Sequence, residues 1–323
     1  MKRVKRLFAC VLALTMMLGL SATAFAREAS ASTDQETVTV KKAYKLTNKG
    51  TTSPAETFTL QQIGPGVVKD GEASSAPALG TITGASFAEG AATVNGATGD
   101  ITIALPTYDR VGVYEYTLKE VAGKTAGVTY YDKEIKLVVT VIQGENGKLR
   151  IAAVHTESAG AKNDTFENTY SAGTLKISKT VTGNLGDKDR YFEFKVTLTG
   201  EAGKVYGESY AVSGGSYAEN PTAIKVGEET TFKLKHGDTI NIANLPYGVS
   251  YEVTETEMEH YTTTKTGDEG SISAAEQTAA FTNNREGDID TGVYLDNLPY
   301  LLVFAGVLAI AAVFVVRRRR FED

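Results

Sequence analysis

From Thr37 onward, apolar and polar residues alternate in short runs separated by turn-forming residues, a period of two that predicts β-strands. In TVTVKKAY (37–44) one face carries Val38, Val40, Lys42 and Tyr44, while Lys41 points the other way. Phe58 and Leu60 open the next strand, and 64–78 reads as a long Gly/Pro/Ser-containing loop. ITIAL (101–105), VGVYEYTLKEV (111–121), EIKLVVTVI (134–142), a Gly144–Gly147 turn, LRIAAVH and TFENTY (165–170) follow. The plan then repeats with different spacings: LKISKTV from Leu175, YFEFKVTLTG with Phe192, Phe194, Val196 and Leu198 on one face, TFKLK, INIANL, YEVTETE and AAFTNN. Such short alternating strands predict an all-β chain of two tandem β-sandwich domains, 36–170 and 174–286, joined through Ser171, Ala172 and Gly173.

Composition supports this reading. The chain has 323 residues, enough for two ordinary cores, and its 16 Tyr and 12 Phe with 32 Gly as punctuation favour sheet over helix.

The two ends differ from the middle. Residues 1–26 combine Lys2, Arg3, Lys5 and Arg6 with an apolar run and small residues at Ala24 and Ala26, the pattern of a secretory signal peptide. The single cysteine, Cys10, lies inside it, so disulfides and cysteine catalysis are excluded from the mature chain. After a spacer, 287–297, the uncharged stretch 298–316 has the length of a transmembrane helix, and Arg317–Arg320 in the tail 317–323 predict a cytoplasmic C-terminus. Without the four positive charges of the leader and the net +1 beyond Thr291, the formal charge of −6 becomes −11, which speaks against nucleic acid as a partner.

Strand parity turns six polar side chains toward the cores. Lys42, Glu120 and Asn168 form one set and Lys179, Glu255 and Asn283 the other, each with a Lys in the first strand, a Glu ending a Tyr-x-[Leu/Val]-x-Glu strand and an Asn two residues after a Phe in the last. Buried without partners, these groups would be costly. Together they can make an amide: a lysine in an apolar pocket loses its proton and becomes a nucleophile. An acid beside it can hydrogen-bond the Asn carbonyl and shuttle protons as ammonia leaves. The product would be a Lys–Asn isopeptide bond needing no cofactor. Lys41, Glu252, Glu257 and Asn284 are the fallback neighbours.

The motifs GVYEYTLKEVAGKTAGVTYYD (112–132), FENTY (166–170), LKISKTVTGNLGDKDRYFEF (175–194) and FTNN (281–284) resemble the Gram-positive streptococcal pilin isopeptide-linkage (FctA-like) family. That resemblance implies immunoglobulin-like (CnaB-type) domains strung end to end, with Lys42 bonded to Asn168 and Lys179 to Asn283, promoted by Glu120 and Glu255. It also implies a cell-surface or pilus location. Sortase would cut between Thr291 and Gly292 in Asp288–Gly292, which lacks the usual proline, and Lys162 would accept the neighbouring subunit. The implied partners are sortase, further copies of the chain, ancillary pilins and peptidoglycan. The alternative is a wall- or membrane-anchored adhesin whose loops, such as 64–100 or 200–230, bind a host or environmental ligand. A secreted enzyme ranks last, since His155, His236 and His260 sit in unrelated contexts and no metal spacing or nucleophile motif appears.

Overall fold

The computed structural model describes residues 35–144, 147–288 and 298–319. The expected signal peptide and both sortase residues, Thr291 and Gly292, lie outside these.

Two clusters of buried side chains form, one built on Tyr44, Phe58, Tyr114, Tyr116 and Phe166, the other on Phe192, Phe194, Phe232, Ile240 and Phe281. Each is enclosed by two sheets. In the first domain one sheet runs Ile82–Thr83, Ala97–Ala104, Thr37–Leu46, Thr165–Tyr170, Val128–Thr129, and the other Ala161–Lys162, Leu149–Ser158, Ile135–Gln143, Gly112–Glu120, Leu60–Gln62. In the second, Thr239–Pro246, Ala172–Thr182 and Glu276–Asn284 are the centre of one sheet, and Glu229–Leu234, Phe192–Thr199 and Ser250–Glu255 of the other.

The feature that positions everything else is shared by both domains. First and last strands are parallel neighbours: Thr37–Leu46 pairs with Thr165–Tyr170, and Ala172–Thr182 with Glu276–Asn284. A parallel pair cannot be closed by a hairpin, so the rest of the domain is threaded between the end of the first strand and the start of the last.

Parts of the chain depart from the sequence reading. Within 64–78, expected as loop, Val67–Gly71 is a strand paired with Gly112–Glu120. Its residues are mostly exposed and a bulge interrupts it between Val68 and Asp70, so no alternation marks it. Thr262–Thr266 is likewise an exposed strand at a sheet edge. At the domain junction only Ser171 lies between strands, because Ala172 and Gly173 already pair with Pro246 and Leu245. A Cβ on Gly173 would stand 2.1 Å from the Ala274 carbonyl oxygen, which explains the glycine at this close approach.

The junction is tied by loops from both sides. Asn48 donates through Nδ2 to the Ala172 carbonyl at 2.8 Å and to the Tyr247 hydroxyl at 2.7 Å. The backbones of Lys124, Ala126 and Val205 exchange two hydrogen bonds, at 2.8 and 2.9 Å.

The apolar run near the C-terminus forms one helix, Leu298–Arg319. Its side chains are described at Tyr300 and 302–311, where they are exposed. Counted over the described residues, no helix is long and apolar enough to cross a membrane.

Candidate functional site

Alternation along Thr37–Leu46 turns Lys42 inward, where it is 0% exposed, and alternation along Thr165–Tyr170 does the same for Asn168, also 0%. Glu120 comes from the facing sheet, at the end of Gly112–Glu120 opposite Leu60, and is 3% exposed. The three side chains meet. Lys42 Nζ donates to Asn168 Oδ1 at 2.6 Å and to Glu120 Oε2, and Asn168 Nδ2 donates to Glu120 Oε1. The carboxylate therefore bridges the amine and the amide nitrogen.

The second domain keeps the same register and again sets the carboxylate between the amine and the amide nitrogen. Lys42 lies opposite Phe166 and Lys179 opposite Phe281, so that in each domain the asparagine is two residues farther along. Lys179 and Asn283 are buried, and the Glu255 side chain, from the facing sheet beside Phe194, is 3% exposed. Lys179 Nζ donates to both Glu255 oxygens, at 2.8 and 2.7 Å, and Asn283 Nδ2 donates to Glu255 Oε1. The fallback residues stand elsewhere. Lys41 pairs with Asp100 at the surface, Glu252 and Glu257 are exposed, and Asn284 accepts from the Thr182 hydroxyl.

Aromatic rings wall both amines. Lys42 Nζ lies 5.2 Å from the centre of the Phe58 ring and 5.9 Å from that of Tyr131, and Lys179 Nζ lies 4.1 Å from Phe192 and 5.5 Å from Phe194. Burial among these rings pulls both lysines below the ordinary 10.5, although Glu120 and Glu255 act in the opposite sense. A lowered pKa enlarges the neutral, nucleophilic fraction of an amine.

One expected contact is replaced by another. The reading of the residues had the Glu bonding the Asn carbonyl, yet in the first domain Glu120 holds the amide nitrogen and the carbonyl oxygen Asn168 Oδ1 accepts from the Tyr131 backbone N–H at 2.8 Å. The cause is geometric: rotating the amide would set its NH₂ against two other donors, Tyr131 N–H and Lys42 Nζ. Tyr131 stands in the motif 112–132, but a main-chain donor leaves no mark on residue type. Phe58 and Phe192 were legible as core residues, not as walls of a reactive pocket.

The arrangement can form an amide. Neutral Nζ attacks the asparagine Cγ, the carboxylate takes a proton from Nζ and returns one to the amide nitrogen, and that nitrogen leaves as ammonia. In the first domain nucleophile, electrophile and proton carrier are held in contact, so the cost of bringing them together is already met by folding.

The remaining candidate, Lys162, is exposed on Ala161–Lys162, opposite Glu157 at the edge of a sheet. His236 accepts from the Val181 N–H at 3.0 Å, a structural contact, and His155 and His260 pair with nearby Glu157 and Glu259.

Comparison with known proteins adds to this. Residues 32–171 match the Spy0128-like isopeptide containing domain, and 173–285 match a domain of unknown function (DUF7601). A pilin of Streptococcus pyogenes serotype M1 is 28% identical over 317 residues, covering 87% of this chain and 90% of that protein. The pilus tip adhesin Cpa of Streptococcus pyogenes is 35% identical over 130 residues, covering 38% of this chain and 18% of its own length. The crystal structure of the major pilin from Streptococcus pyogenes shares the fold, with a TM-score of 0.53 at 24% identity, over 79% of this chain and all of that one. Residues 32–171 therefore form a domain of the Spy0128-like isopeptide containing kind, and over most of its length the chain is similar to a streptococcal pilin.

Proposed function

We propose that this chain is a structural pilin, a shaft subunit of a surface fibre, in which Lys42–Asn168 and Lys179–Asn283 close as isopeptide bonds with Glu120 and Glu255 carrying the protons. The observation behind this reading is the repeated register: in both domains a buried lysine of the first strand and a buried asparagine of the last share one carboxylate from the facing sheet. Chance burial of one lysine would be unremarked, whereas the same three residue types in the same strand register twice call for a shared chemistry.

The position of the bonds suits a load-bearing chain. Tension entering at Thr37 and leaving at Tyr170 would pass through Lys42 directly to Asn168, and the strands between them would carry none of it. Each bond would close a loop of more than a hundred residues, worth about 4–5 kcal/mol if treated as a crosslink on the unfolded chain.

Around this core the reading adds a leader removed at Ala26, a membrane span at 298–316 that holds the precursor, cleavage by sortase between Thr291 and Gly292, and Lys162 as acceptor of the next subunit. Its partners are other copies of itself, ancillary pilins and peptidoglycan. An anchored adhesin is the second reading and draws on the likeness to the tip adhesin, but that likeness covers 38% of this chain against 87% for the pilin, which favours the shaft.

The deciding experiment is the intact mass of the purified 27–287 chain. A deficit of two ammonia masses is expected, reduced to one in either Glu120→Ala or Glu255→Ala. A mass equal to that of the sequence would overturn the crosslinks and leave an ordinary anchored binding protein.

A further inference from the structure

We propose that the backbone N–H of Tyr131 is an oxyanion donor for the first domain's reaction, and that the second domain, which has no counterpart, closes its bond more slowly. The inference rests on the crosslinking proposed above and concerns how that step is catalysed.

Asn168 is held by its two ends. Its Oδ1 accepts from Tyr131 N–H at 2.8 Å and from Lys42 Nζ at 2.6 Å, while Nδ2 faces Glu120 Oε1. The carbon between them is thus polarised before reaction, and the group that must leave already touches its proton source. When the Nζ lone pair bonds to Cγ, the carbonyl π pair moves onto Oδ1, and the negative charge forms where the Tyr131 N–H points. Collapse restores the carbonyl and breaks Cγ–Nδ2. The proton that Glu120 takes from Nζ at Oε2 is the one it then hands to Nδ2 as the carboxyl turns, so Glu120 ends as it began and ammonia departs. A main-chain donor fixed in advance at a developing oxyanion costs nothing to reorient during the step.

Tyr131 is fixed on two sides. Its ring packs edge-on against Phe166, with centroids 5.1 Å apart, and its hydroxyl pairs with the Ser158 hydroxyl at 2.7 Å. Phe166 is also the residue opposite Lys42, so the donor, the nucleophile and the electrophile are referred to the same parallel strand pair.

The second domain is built otherwise. Asn283 Oδ1 is buried and meets no hydrogen-bond donor among the described residues. Lys179 Nζ is engaged by both oxygens of Glu255. Its amide therefore lacks both carbonyl contacts that polarise Asn168.

The test is a time course on the full chain made by brief cell-free synthesis, quenched in acid at intervals, digested and assayed by mass for the two crosslinked peptides. Each chain carries its own clock, since the Lys179–Asn283 bond reports on the same sample. In the wild-type chain the Lys42–Asn168 bond is expected to form at least about tenfold faster than its partner. Tyr131→Pro, which removes the donor, should slow the first bond on the order of 100-fold relative to the second, the loss seen on removing one such donor. Hydrogen exchange of the first domain shows whether that variant folds. A folded Tyr131→Pro chain that closes Lys42–Asn168 at the wild-type rate overturns the proposal. Should proline prevent folding, equal rates for the two wild-type bonds overturn it. Both bonds forming with no dependence on Tyr131 would leave the crosslinking reading intact, whereas ammonia loss from neither domain at any time would remove that reading and this one with it.

Discussion

Asn244 of the second domain pairs with the backbone of Thr52 in the first through both ends of its amide: it accepts from the Thr52 N–H at 2.9 Å and donates to the Thr52 carbonyl at 3.0 Å. A side chain here imitates one rung of a β-ladder across a domain junction. Asn244 adopts φ 59, a left-handed conformation that asparagine tolerates better than other residues with a Cβ. Asn48 and Val205 tie the same junction. Asn244→Gly keeps the backbone conformation and removes only the clasp, so both domains should melt as before. The junction should loosen by about 1–2 kcal/mol for two hydrogen bonds, seen as a broader distribution of lengths in small-angle scattering. Scattering identical to wild type would mean the clasp contributes nothing to the alignment of the domains.

Glu120→Gln removes the proton carrier at nearly constant shape. The chain should retain the ammonia that closing the proposed bond would release, and the first domain should lose about 4–5 kcal/mol of stability, the effect of opening a loop of this length. Chemical denaturation monitored on the tyrosine-rich first core, together with intact mass, checks both. Loss of the bond without loss of stability would show that the crosslink acts only under load.

The six buried polar residues were legible because the sequence alternates with little interruption through the strands that carry them, and a period of two assigns each side chain to a face without knowledge of the partner strand. Lys42 was separable from Lys41, and Asn283 from Asn284, on that ground alone. What alternation does not encode is contact made by the main chain or by loops. The Tyr131 N–H and the Asn244–Thr52 clasp depend on where turns travel in space, and nothing in residue type announces them. Val67–Gly71 escaped for a related reason: most of its residues are exposed, so neither of its faces is distinguished by hydrophobicity.

In a chain that keeps Lys42 as a free amine, stability should depend on pH. Asn168→Ala is such a chain. Burial holds the native lysine below its ordinary 10.5, so between the lowered value and 10.5 the unfolded state binds more protons and stability rises with pH. In a crosslinked wild type the same nitrogen would be an amide and would not titrate. The stability gap between wild type and Asn168→Ala should therefore narrow as pH rises toward 10.5, measured by denaturation at a series of alkaline pH values. A gap independent of pH would place the lysine's native pKa at its ordinary value.

The same lowering fixes the direction of the rate. Only the neutral amine attacks, so the rate of ammonia loss in freshly made chain should increase with pH below the native lysine pKa and level off above it. Because the ring of Phe192 stands closer to Lys179 than any ring does to Lys42, while Glu255 grips Lys179 with both oxygens, the two domains should show separate profiles. A rate that falls with rising pH would require a protonated group to be the limiting species.

Lys162 offers the sharpest test of assembly, because its place in the fold separates it from the two buried lysines. It is exposed at a sheet edge and opposite Glu157, so its amine remains solvated and can be reached by an acyl-enzyme carrying a second subunit. Lys162→Ala should leave the intact mass deficit of both domains unchanged and abolish the detergent-resistant ladder of polymers in the wall fraction. Thr291→Ala should abolish the ladder as well, and should in addition keep the chain with the membrane. Ladders that persist in Lys162→Ala but vanish in Thr291→Ala would keep the sortase step and move the acceptor to another exposed lysine.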